Sequence, residues 1–509
     1  MTNHLAAALR LDETARADRT FATLPDGRFY SYGDVDRVSA RFAAALIAMG
    51  VTPGDRVAVQ VDKSIEALML YLGCVRAGGV FLPLNTAYTP NEVAFFVEDA
   101  EPALVVCRPA AAEALAPVAE AAGARLETMG VWAADGGDHG SIFAHVPETA
   151  APVMVPRGPD DLGAILYTSG TTGRSKGAML SHDNLASNAL VLVEAWGFTE
   201  ADRLIHALPI YHTHGLFVAS NVTLVAGGQL VWMPKFDADA VVAALPSATA
   251  MMGVPTFYTR LLGDDRLTPD LCRDMRLFVA GSAPLLAETH RQWQARTGHA
   301  ILERYGMTEA SMIASNPYDG ERRPGAVGFP LPGVELRVRD TESGALMAPG
   351  GVGMLEVRGP NVFRGYWKLP EKTAEELSAD GWFVTGDLAT IGADGYVQIV
   401  GRGKDLIISG GFNVYPKEVE GEIDRLDGVV ESAVIGVPHP DFGEGVVAVV
   451  VPAEGAARDE TAVKAALSGR IARFKQPKSV IFVDALPRNT MGKVQKKALR
   501  ETYATLFAG

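Results

Sequence analysis

In residues 31–49 (SYGDVDRVSARFAAALIAM) apolar positions recur at helical spacing and Gly50 follows as a stop signal, which predicts an amphipathic helix. The next apolar run, 56–61 (RVAVQV), is short and β-branched and predicts a buried strand. Residues 64–77 return to helical spacing and end at Gly78 and Gly79, and strands are predicted at 80–84 and 103–107. Strand, helix and strand at this spacing indicate parallel crossover units in an α/β sheet. The same rhythm returns over 203–260 and 277–305.

From about residue 325 to 400 short strand-like runs (VELRVRD, GMLEVRG, WFVTGDL, YVQIV) alternate with Gly, Pro and Asp, the pattern of an all-β subdomain. The run GRGKD at 401–405 sets two glycines among charges, as a hinge between domains would. A smaller α+β unit follows, with helices predicted at 416–426 and 460–471 and strands at 433–437 and 446–451. The expected fold class is α/β: a large N-terminal domain of α/β sheets with a small β-barrel-like subdomain, hinged to a smaller α+β domain. The expected division is 1–402 and 403–509.

Length agrees with more than one domain, since 509 residues exceed the ~250–300 at which single cores stop growing. A net charge of −14 argues against a nucleic-acid partner, which needs a basic face to release counterions. It does not argue against an anionic small molecule, because local cations can dominate a cleft. Cys74, Cys107 and Cys272 share no metal spacing and read as reduced buried thiols. No stretch approaches the ~18 consecutive apolar residues of a membrane span, and no secretory leader is evident. A cytoplasmic protein without a membrane partner, monomeric or weakly homo-oligomeric, is expected.

The segment most telling for chemistry is LYTSGTTGRSKG at 166–177. Glycines let a backbone approach phosphate closely, hydroxyls and amides donate to its oxygens, and Lys176 supplies positive charge. No Ser or Thr follows that lysine, so the run is not the GxxxxGK[ST] loop, nor is it a dinucleotide fingerprint. On composition alone a flexible Ser/Gly/Thr surface loop is an equal reading.

The run resembles the phosphate-binding signature of the acyl-adenylate-forming superfamily, which holds acyl-CoA synthetases, luciferases and peptide-synthetase adenylation domains. Further matches follow in that family's order: YGMTE at 305–309, TGD at 385–387, GRGKD at 401–405 and PRNTMGK at 487–493. The resemblance implies an ATP-dependent, AMP-forming acid–thiol ligase using Mg²⁺ and coenzyme A. It implies Thr168, Ser169, Gly170, Thr171, Thr172, Gly173 and Lys176 at the phosphates. Ser282, Ala283, Pro284, Arg304, Tyr305, Gly306, Met307, Thr308, Asp387 and Arg402 complete the implied nucleotide set. Thr172 and Glu309 are the implied metal ligands, and one carboxylate suffices for Mg²⁺, which completes its shell with phosphate and water. Lys493, Thr308, Glu309 and His212 are the implied catalytic residues, with Lys493 bridging the attacking carboxylate and the α-phosphate. Lys404 is the implied hinge.

Some of these residues keep two readings. Tyr305 stacks on adenine or fills core, and Arg402 meets ribose hydroxyls or a domain interface. Gly410, Gly411 and Phe412 are implied at the pantetheine arm. The basic group Arg473, Lys475 and Lys478 meets CoA phosphates or is a solvated charge run. The family also implies a lysine acetyltransferase as a partner acting on Lys493, whose charge acetylation would erase.

The acid pocket is expected from 208–215, 254–262, 281–284 and Met307, with His212, Ser282 and Met307 near the acid. An arginine at position 260 is unusual in a segment that relatives using fatty or aromatic acids line with apolar residues. A buried guanidinium without an anion is costly, so Arg260 would ask for a second carboxylate on the substrate; the alternative is that it points outward. LPIYHTHGLFVASN and MMGVPTFYTRLL resemble the malonyl-CoA synthetases within the superfamily. That implies malonate, with methylmalonate as a second acid. Another short-chain or aromatic acid, and an adenylation domain that loads a carrier protein, are the rival readings.

Overall fold

The computed structural model describes residues 2–131, 139–168, 175–410, 412–468, 470–489 and 492–507. The first long helix is Tyr32–Ala48, begun by a capping box in which Ser31 and Asp34 satisfy each other's backbone N–H. Its buried stripe of Val35, Phe42 and Leu46 packs on the helix Ile65–Ala77. Gly73 permits the close crossing, because a Cβ there would lie 2.6 Å from the Phe42 Cβ. Ile65–Ala77 is buried on every side, starts at Ser64 as N-cap and stops at left-handed Gly78.

Two large sheets carry the N-terminal part. The first has six strands ordered 125–128, 104–107, 56–60, 80–83, 162–168, 176–181, parallel except for the last pair. The second has nine and is parallel at its centre, where 302–307, 277–280, 250–253, 203–206, 229–232 and 20–23 lie side by side. One hydrophobic cluster joins both, taking Val57 and Leu104 from one sheet and Leu204 and Leu277 from the other. Strands buried on both faces explain why these runs read as continuous apolar stretches rather than alternations.

The predicted all-β region forms an open four-stranded antiparallel sheet, Glu335–Arg339, Gly353–Arg358, Phe383–Ile391 and Val397–Arg402. A 3₁₀ turn, Gly403–Asp405, follows at once. The last five strands build one further sheet whose core includes Ile407, Val434, Val446 and Val450. Two helices there are shorter than their apolar spacing predicts. Pro416–Ile423 ends three residues early, and Glu460–Leu467 ends where Ser468 turns extended and bridges to Ile471.

Candidate active site

The strands Leu162–Thr168 and Lys176–Ser181 pair antiparallel with Thr168 opposite Lys176. Ser169, Gly170, Thr171, Thr172 and Gly173 lie outside the described residues. Thr168 donates to Glu309 Oε1 at 3.3 Å, which joins this hairpin to the 305–309 segment as expected for one site. Glu309 is buried, and burial raises its carboxyl pKa. A buried carboxylate beside a hydroxyl is a fitting pair for the hard cation that accompanies ATP, which would neutralise phosphate charge there.

Lys176 is not a free cation. Its Nζ lies 3.1 and 3.2 Å from the two Glu376 oxygens and 3.9 Å from the centre of the Tyr366 ring. Tyr366 in turn reaches Glu376 at 2.6 Å and Glu309 at 3.2 Å through one hydroxyl. Lys176, Glu376 and Tyr366 therefore brace Glu309. Sequence reading missed Tyr366 and Glu376, because their partners lie far away in the chain and no local spacing marks them.

Asp387 and Arg402 face each other across neighbouring strands and form an ion pair, Arg402 Nε lying 2.8 Å from Asp387 Oδ1. The Tyr305 hydroxyl donates to the other Asp387 oxygen. This carboxylate is thus set by one hydrogen bond and one ion pair, in the TGD segment expected at ribose. Gly306 is required beside it, since a Cβ would lie 2.2 Å from the Ser311 carbonyl.

Of the segments expected around the acid, 212–214 and 281–284 meet through Ser282 and His214, and Met307 is partly buried. Ser282 is held at φ +70°, a conformation costly for a residue with a side chain, and its hydroxyl sits 3.2 Å from His214 Nδ1. Ala283 is partly buried and Pro284 exposed. His212 Nδ1 accepts from the His214 backbone N–H at 3.3 Å, which leaves Nε2–H as its free donor. Burial, Lys493 and Arg304 push the His212 pKa down to about 3, so the ring is neutral at working pH.

Arg260 departs from expectation. It is exposed on the last turn of the helix Pro255–Leu262, its guanidinium 6.0 Å from the Phe236 ring centre. Its helix ends at the surface, so the desolvation argument does not apply to it. The guanidinium that satisfies that argument is Arg304. It is buried, its Nε and Nη2 have no partner among the described residues, and burial pushes its pKa down to about 9. It lies flat on Gly281, where a Cβ would come 2.4 Å from Arg304 Cζ. His214 Nε2 and Thr213 Oγ1, also buried, lack partners as well.

Lys493 arrives from the C-terminal unit. Gly492 beside it packs on Thr256 of the Pro255–Leu262 helix. Burial of its head group lowers the Lys493 pKa; Arg402 and Arg304 add to this, and Asp387 and Glu309 oppose it. The residue as a whole is exposed. Lys404 is exposed in the 3₁₀ turn, next to Asp405, which Arg500 grips at 2.7 Å. The contacts of the implied CoA group are with its own unit: Gly410 meets Phe442, Phe412 stacks on Phe474 at 4.7 Å, and Lys475 pairs with Glu418. Arg473 is exposed, and Gly411 is outside the described residues.

Residues 9–367 match the family model "AMP-binding enzyme" and 418–493 match "AMP-binding enzyme C-terminal domain", so the chain belongs to the AMP-binding enzymes. Feruloyl-CoA synthase of Amycolatopsis sp is 37% identical over 94% of each chain. Malonate–CoA ligase of Arabidopsis thaliana is 32% identical over 96% of this chain and 87% of its own. The crystal structure of ATP-bound MatB from Rhodopseudomonas palustris is 58% identical over the whole of both chains, with a TM-score of 0.95; its apo form scores 0.85. The chain is an AMP-forming acid–CoA ligase, with ATP and CoA as substrates.

Proposed function

We propose that the acid is malonate, with methylmalonate accepted beside Met307. The observation that carries this reading is Arg304, a buried guanidinium with two unpaired nitrogens beside the acid segment. A second carboxylate on the substrate would pair with it, and His214, Thr213 and Ser282 would supply further donors. Arg260 would add attraction from the rim. Malonate–CoA ligase among the relatives supports the reading.

In the proposed course, the reacting carboxylate of the acid attacks the α-phosphorus of ATP and pyrophosphate leaves. Lys493 neutralises the charge gathering between them, and Asp387 with Arg402 holds the ribose. Glu309, braced by Tyr366, holds the cation side of the phosphates. The C-terminal unit, taken from 403 onward, then turns about Lys404, withdraws Lys493 and brings Gly410 to Phe412 toward the pantetheine arm. The CoA sulfur attacks the acyl carbon, its proton is released, and AMP leaves. Catalysis of this kind is positioning and charge stabilisation.

Purified protein with ATP, Mg²⁺, CoA and a panel of mono- and dicarboxylic acids tests the reading by AMP release. Malonate should give the highest kcat/KM. A ferulate- or propionate-type monoacid outrunning malonate would sink the dicarboxylate assignment.

A further inference from the structure

Behind the acid pocket lies a buried polar chain that the reaction above does not use. Lys63, at the end of its strand's connecting loop, turns its ammonium inward over the Trp232 ring, 4.4 Å from its centre. Nζ lies 2.7 Å from the His206 carbonyl, 2.7 Å from the Met233 carbonyl and 3.0 Å from His206 Nδ1. Burial holds the Lys63 pKa well below its ordinary value, so the tautomer is read from the far side of the ring. The Gly215 carbonyl there can only accept, so Nδ1 accepts from Lys63 and the ring proton resides on Nε2. That nitrogen sits 3.0 Å from the Gly215 carbonyl and 3.1 Å from the Ser220 hydroxyl, and the ring is fully buried.

The consequence is topological. His206 ends the strand Arg203–His206, and Gly215 is the second residue of the π-helix His214–Ser220. The side chain of one therefore ties the two ends of the segment 207–214, which carries His212, Thr213 and His214. A π-turn is rare and has weaker ladder bonding than an α-helix, so it needs support from outside. Ser220 supplies some, its hydroxyl donating to the same Gly215 carbonyl at 3.0 Å. Gly215 itself is fixed by close approach, since a Cβ would fall 2.0 Å from the Pro209 carbonyl.

We propose that Lys63 and His206 are positioning residues for acid recognition: by fixing the His206 tautomer, Lys63 clamps 207–214 so that His212, Thr213 and His214 face the acid. The choice of malonate as readout rests on the function proposed above; the clamp itself does not. A carbonyl in place of Nδ1 and an amide N–H in place of Nε2 would serve equally, so glutamine at 206 can reproduce both bonds, whereas leucine can make neither.

The test uses the full-length variants Lys63→Met, His206→Leu and His206→Gln. Malonate KM, ATP KM, kcat and thermal midpoint are measured for each, and His206 is read by ¹⁵N NMR. Lys63→Met and His206→Leu should raise malonate KM by about tenfold to a hundredfold, the scale of a small misplacement at a reacting group, with ATP KM nearly unchanged. His206→Gln should restore malonate KM to within about threefold of the parent, on the scale of a hydrogen bond retained. In the parent, Nδ1 should resonate as an unprotonated ring nitrogen, and that signal should change in Lys63→Met. Parallel rises in both KM values that track the thermal midpoint would make the chain merely structural and overturn the proposal. So would His206→Gln behaving like His206→Leu, or a parent spectrum with the proton on Nδ1. If Lys63→Met does not fold, the two His206 variants and the parent spectrum decide. If the parent ignores malonate, the substrate reading fails; the same KM comparison with whichever acid it accepts, and the NMR signal, still decide the clamp.

Discussion

Arg304→Met should make the empty protein more stable and nearly useless toward malonate. Burial pushes the Arg304 pKa well below its ordinary value, down to about 9. At ~1.4 kcal/mol per unit, that displacement corresponds to roughly 5 kcal/mol of unrelieved desolvation at neutral pH. The sign is fixed: a base held below its unfolded pKa destabilises the fold while protonated, and the penalty fades only as pH rises past about 9. Methionine fills similar space without charge, so the thermal midpoint should rise, as replacing buried ionic groups often adds ~1–4 kcal/mol. The catalytic loss follows from the same burial. Removing one partner of a buried charge pair costs ~3–5 kcal/mol, or roughly 150- to 5000-fold in kcat/KM for malonate. Exposed Arg260 is the control, and Arg260→Ala should cost only ~0.2–1 kcal/mol, within about fivefold. The assays are pyrophosphate release with malonate and with propionate, and thermal unfolding without substrate. A variant that keeps malonate kcat/KM within threefold of the parent, or that loses malonate and propionate equally, refutes the role of Arg304.

Lys493→Ala should abolish adenylate formation yet leave thioester formation from supplied acyl-adenylate largely intact, and equal loss of the two half-reactions would refute its placement over the α-phosphate. Glu376→Gln should loosen the brace on Glu309, raising the KM for Mg·ATP while leaving the acid KM alone; the two steady-state constants check this. Stability should fall steeply below about pH 6.5, the ordinary histidine pKa. His182, His206 and His214 are buried with pKa values held low, His182 at about 4. Each buried neutral ring makes the unfolded chain bind more protons as pH drops, worth ~1.4 kcal/mol per pH unit per histidine. Unfolding midpoints against pH for the parent and His206→Gln should differ in slope by about one such increment.

Much of this was legible in the chain because it is written locally. Apolar runs gave the parallel strands, Ser31 and Ser64 gave helix starts, and short motifs in a fixed order singled out residues that the fold brings together, Thr168 with Glu309 and Asp387 with Arg402. What was not legible depends on burial and on partners far apart in sequence. Arg260 and Arg304 are equally visible as letters, and only packing against Gly281 distinguishes the one that loses water. Glu376 reads as a solvated helix charge until Lys176 and Tyr366 arrive from elsewhere. Lys63 and His206 lie 143 residues apart, and nothing in either neighbourhood announces the other.

Unpaired and strained groups occur in several parts of the fold, and one set of them falls on the segments expected around the acid. That set comprises Ser282 at φ +70°, the Arg304 nitrogens and the His214 and Thr213 atoms without partners among the described residues, and the π-turn after His212. Each costs stability in the empty protein, and most could be relieved by a common substitution. The burial of Arg304, His214 and Thr213 means that these donors are held apart from water before substrate arrives, so that an anion reaching them meets groups already desolvated. On this argument ligand should stabilise the chain more than its affinity for ATP alone accounts for. Malonate added with a non-hydrolysable ATP analogue should raise the thermal midpoint beyond the analogue by itself, and Arg304→Met should erase only that increment. An increment that survives Arg304→Met would mean the strain around the pocket is discharged by something other than the second carboxylate.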